Sequence, residues 1–99
     1  MTDKVDLGSD HSYSWVRWAP DRDLNPQYAD MPDDPHYGIQ VFHKNKAGEE
    51  CPGFVTFSKL APPPVWELIS VEPLTMSPSL LCRTCGDHGF IRDGKWVAA

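Results

Sequence analysis

The chain has no apolar run approaching the roughly 20 residues a membrane span needs. It has no internal repeat and no basic tract. Its first ten residues, MTDKVDLGSD, lack a basic stretch followed by an apolar one, so no leader is expected. Cysteine is scarce: three residues, an odd number that suits disulfide pairing poorly. The chain is therefore expected to stay in the cytosol of the cell that makes it. Thiols stay reduced in a cytosol, where clustered cysteines are metal ligands more often than disulfides. Ser77 and Ser79 lack the Gly-x-Ser-x-Gly surroundings of an esterase nucleophile and read as turn residues. Positive charge is also short. The net charge is −5, and residues 1–34, with eight acids against three bases, carry all of it, while residues 35–99 are balanced. That is a poor start for gripping a phosphate backbone.

What is present is a globular composition. Hydrophobic residues are 40% and four are tryptophan, so the four indoles are expected in the core. Ninety-nine residues make a single domain, residues 1–99. A chain this short buries only roughly 60–65% of its unfolded surface, which leaves a thin margin of stability. Ten prolines and seven glycines oppose long helices and favour short strands joined by turns.

Strands are expected at SYSWVRW (12–18), YGIQVFH (37–43), FVTFSKL (54–60), VWELISV (65–71) and the two arms of GFIRDGKWV (89–97). In the last of these Asp93-Gly94 is the turn chemistry of a two-residue hairpin. Residues 1–10 read as loose, and KNKAGEECPG (44–53) as turn. Residues 19–36 hold four prolines and five aspartates and read as a solvated acidic loop or arm, with Leu24, Tyr28 and Met31 available to pin it. The fold class expected is mainly β: a small antiparallel sheet or open barrel of five or six strands, ending in a knuckle-like hairpin.

The chemistry concentrates in SLLCRTCGDHGF (79–90). In Cys82-x-x-Cys85-Gly86 two thiolates can face one ion if the backbone curls tightly, and Gly86 supplies an unhindered residue for that curl. His88 can add a nitrogen, and sulfur with imidazole favours zinc, as a structural ion, over calcium or magnesium. Cys51 is the preferred fourth ligand, because it would close an all-protein site, and His43 is its rival. Three other readings of the pair stand behind this one. They are buried unliganded thiols, a redox dithiol, which lacks the usual βαβ setting, and a cysteine nucleophile with His88 as base. His11 and His36 sit in polar segments and are expected to be solvated.

The segment LTMSPSLLCRTCGDHGFIRDGKW resembles the end of a family of small, uncharacterised phage and bacterial proteins. There a Leu-Thr-x-Ser-Pro-Ser turn, a cysteine, a cysteine-x-x-histidine and an aromatic-Ile-x-Asp-Gly hairpin follow in order. Here these are Leu74 to Ser79, Cys82, Cys85, His88 and Phe90 to Gly94, about a quarter of the chain. The resemblance implies a phage or prophage origin, with a place in the host cytoplasm or on the virion, and a metal site at Cys85 and His88. It implies no activity.

The function expected is that of a non-enzymatic accessory module. A metal staples a β-domain that contacts another protein, either a host factor or a virion component, with no membrane partner. Two alternatives remain. A zinc hydrolase would need an open metal position and a base such as Asp87, Glu49 or Glu50. A nucleic-acid-binding knuckle would use Arg83, Arg92 and Lys95.

Overall fold

The computed structural model describes residues 4–45 and 47–99. The protein is mainly β, as the alternation and the prolines predict. Its strands are β1 (Val5–Gly8), β2 (His11–Trp18), β3 (Asp34–Lys44), β4 (Glu50–Thr56), β5 (Glu67–Ser70), β6 (Thr75–Ser77), β7 (Leu80–Leu81), β8 (His88–Arg92) and β9 (Lys95–Ala98). They form three open antiparallel sheets in the orders β1-β2-β3-β4, β5-β6 and β7-β8-β9, with no closed barrel. Among the described residues the only helical turn is a 3-10 turn at Pro26–Tyr28, and no helix is long and apolar enough to cross a membrane.

One core joins the sheets. Leu7, Tyr13, Ile39, Val41 and Val55 from the large sheet bury against Leu74, Met76 and Ile91 from the smaller part, with Trp15, Trp66 and Trp96 at its margin. Side chains alternate across a strand, so Tyr13, Val41 and Ile39 share the covered face of the large sheet with residues two positions away. His11 lies opposite His43, and His43 lies opposite Cys51, in that same alternation. The register therefore sets His11, His43 and Cys51 in one row across β2, β3 and β4, on the covered face and near one end of the sheet.

Three expectations change. Residues 1–10 are not uniformly loose. Positions 1–3 lie outside the described residues, but Val5–Gly8 pairs with β2 because Leu7 enters the core, 2% exposed. The turn expected over 44–53 is shorter, and β4 begins at Glu50. Asn45 closes the loop itself: its Oδ1 accepts the backbone N–H groups of Ala47 and Glu49, and its own N–H donates to the Glu49 carbonyl. Cys51 thus belongs to a strand rather than a turn. Two further short strands, β6 and β7, were not foreseen, so with β1 the described residues hold nine strands rather than five or six. The Pro/Asp-rich segment is indeed a loop, although its end, Asp34–His36, starts β3. Asp33 ties it down by accepting from Arg17 (2.7 Å) and Arg22 (2.8 Å), and Tyr28 lies edge-on to Trp18. The terminal hairpin is as predicted, with positive φ at Asp93 and Gly94.

Candidate metal centre

β3 and β4 deliver the first half of the site. His43 and Cys51 face each other across the pair, 7% and 8% exposed. The second half comes from the loop between β7 and β8, which closes on itself. Cys82 N–H donates to the Asp87 carbonyl and Gly86 N–H to the Cys82 carbonyl, both at 2.7 Å. Gly86 adopts φ +79°, a conformation that any Cβ would oppose. This curl turns both thiols toward the large sheet. The result is a cluster of His43, Cys51, Cys82 and Cys85 whose ligand atoms all lie within 4.8 Å of one another. His43 Nε2 is 3.1 Å from Cys85 Sγ.

The electrostatics fit a cation at the centre. Burial pushes the Cys51 thiol above its ordinary pKa, and the neighbouring Cys85 and Cys82 thiolates add to the shift. Cys82 moves the other way. The Cys85 backbone N–H lowers it most, burial opposes, and the Thr84 N–H assists. Three sulfurs packed this closely repel once ionised, and a divalent cation removes that repulsion, since coordinating thiols deprotonate outright. A tetrahedral ion with bonds of about 2.0–2.3 Å sets its ligand atoms roughly 3.5–3.8 Å apart, a spacing the cluster's span accommodates.

No family model, curated protein or solved structure matches the chain. The site therefore rests on its own geometry.

Of the residues expected as ligands, Cys51, Cys82 and Cys85 are brought together, and so is the rival His43. His88 is elsewhere. It is exposed on β8, with Nε2 2.9 Å from the Ser79 hydroxyl oxygen. Strand alternation explains the difference. Gly89 and Ile91 take the buried face of β8, so His88 must point outward. Asp87 does not stand free as a base, because its carboxylate meets His11. Glu50 pairs with Lys4 at 3.1 Å, and the Arg92 guanidinium lies over the Phe90 ring.

Of the two histidines expected in solvent, His11 is buried and His36 is half-buried. His36 packs edge-on against Trp15. His11 is 7% exposed and lies between the His43 ring, with centroids 5.4 Å apart, and the Trp96 indole at 4.0 Å. Its Nδ1 is 2.6 Å from the Ser9 carbonyl oxygen and its Nε2 is 2.6 Å from Asp87 Oδ2. Sequence reasoning missed this residue because its neighbours Asp10 and Ser12 are polar. The usable signal was its place in the strand, two residues from Tyr13 on one face.

Proposed function

We propose that His43, Cys51, Cys82 and Cys85 hold one zinc ion as a structural staple. On this reading the domain is a phage-type accessory protein that works by contacting another protein, a host factor or a virion component. The observation that carries the staple is the composition of the cluster: three sulfurs and one imidazole, all from the protein. Such donors favour zinc, and four of them close the coordination shell. A closed shell leaves no position for a metal-bound water, which is why the staple is preferred over a hydrolase. The ion would join two parts of the chain that are 31 positions apart at their nearest ligands, Cys51 and Cys82.

The contact reading draws support from the surface beside the knuckle. A cavity of about 260 Å³ lies between β4 and the β7–β8 loop, walled by Val55, Trp66 and Leu80. Phe54 and Leu81, 53% and 59% exposed, stand at it. Exposed aromatic and aliphatic groups around a recess with apolar walls on one side and His43, Cys82, Arg83 and Asp87 on the other are the makings of an interface anchor. The test uses zinc-loaded protein as bait against infected-cell lysate and purified particles, alongside folded Phe54→Asp and Leu81→Asp variants. A captured partner that both variants lose supports the reading. Capture that survives both changes, or no capture at all, refutes it.

A further inference from the structure

His11, His43 and Asp87 form a second group of close donor atoms, within 4.8 Å of one another. It looks at first like a second ion site, but the hydrogen bonds argue otherwise. Both His11 ring nitrogens already face an oxygen at hydrogen-bond distance, Nδ1 the Ser9 carbonyl and Nε2 the Asp87 carboxylate, each at 2.6 Å. Neither nitrogen could take a metal ion without giving up that oxygen. The His11 and His43 rings are also stacked, 17° from parallel, whereas an ion must lie in the plane of each imidazole that binds it.

We propose instead that His11 is a positioning residue for the zinc site, an inference that rests on the staple reading above. It acts on both halves of the site. Through Nε2 it holds the Asp87 carboxylate, and the Asp87 backbone carbonyl accepts the Cys82 N–H that closes the knuckle. Through its face it packs on the ring of His43, one of the two ligands from the large sheet. The Ser9 carbonyl and the Trp96 indole fix His11 in turn. One buried side chain thus fixes the ligand loop and the ligand ring relative to each other. Groups that orient metal ligands in this way typically account for 10–100-fold in affinity.

The test is zinc competition against a chromophoric chelator, using the full chain and the variants His11→Phe, His11→Gln and Asp87→Ala. Phenylalanine keeps the stack on Trp96 but cannot hold Asp87, while glutamine keeps an amide N–H for the carboxylate. His11→Phe and Asp87→Ala should each weaken zinc binding about 10–100-fold, and His11→Gln should recover most of that loss. With cobalt in place of zinc, the visible ligand-field bands should change in His11→Phe. A merely structural residue would lower the melting temperature and leave those bands as in the wild type. Wild-type zinc affinity in His11→Phe overturns the proposal. Should that variant not fold, Asp87→Ala, at a partly exposed loop residue, decides by the same criterion. Failure of the staple itself is read on a different sample, since it appears as a wild-type chain that binds no zinc, and it takes the positioning role with it.

Discussion

Replacing His43 and His88 separately by alanine distinguishes the ligand set in the structure from the one that spacing favours. His43 is a buried donor 3.1 Å from Cys85 Sγ, and its loss should release the ion. An ion present at a thousand times its dissociation constant stabilises the folded state by about 4 kcal/mol. For a domain of this size each kcal/mol moves the melting temperature by about 4–8 °C, so the loss should reach about 16–32 °C. The space left by a buried ring adds to it. His88 makes one exposed hydrogen bond to Ser79. Its removal should cost no more than about 0.5 kcal/mol, or roughly 2–4 °C, with metal retained. Melting curves in buffered zinc, with metal content measured on the same samples, decide the matter. The reasoning fails if His88→Ala loses the ion and His43→Ala keeps it.

Three further outcomes test neighbouring parts of the account. A Cβ at Gly89 would come within 2.5 Å of the Trp96 ring and 2.6 Å of the Val97 carbonyl, so Gly89→Ala should destabilise by about 1–3 kcal/mol in denaturant melts and loosen the stack on His11; an unchanged midpoint would contradict this. Ser14 is 1% exposed and its hydroxyl has no hydrogen-bond partner among the described residues, so Ser14→Ala should leave stability unchanged or raise it by up to about 1 kcal/mol, and a clear loss would show a partner. Asp33 has its pKa held below the usual 3.8 by hydrogen bonds from Arg22 and Arg17. The stability it contributes is therefore complete above 3.8 and disappears as pH falls through the lowered native value. Acid titration of the melting temperature should slope less in Asp33→Asn, and parallel curves would remove the arm's ion pairs from the account.

Much of the fold was legible because it rests on short-range rules. Alternation at Tyr37, Ile39 and Val41 gave β3, and Asp93-Gly94 gave the terminal hairpin. Strands β1, β6 and β7 escaped because two to four residues carry too little periodicity, and Leu7 is buried only through a partner strand distant in sequence. The site divides in the same way. The Cys82-x-x-Cys85-Gly86 curl is local and could be read directly. The choice of His43 over His88 depends on cross-strand register, on which face of β8 is buried, and on how the large sheet meets the knuckle. No spacing along the chain encodes those relations. His11 illustrates the point most fully, since its two hydrogen-bond partners are Ser9, two residues away, and Asp87, 76 residues away.

X-ray absorption at the zinc edge, on protein purified without chelator, tests the central claim most directly. One equivalent of zinc is expected, with three sulfurs at about 2.3 Å and one nitrogen at about 2.0–2.1 Å. Protein without metal, or a shell containing an oxygen or a second nitrogen in place of one of the three sulfurs, would contradict the ligand set of His43, Cys51, Cys82 and Cys85.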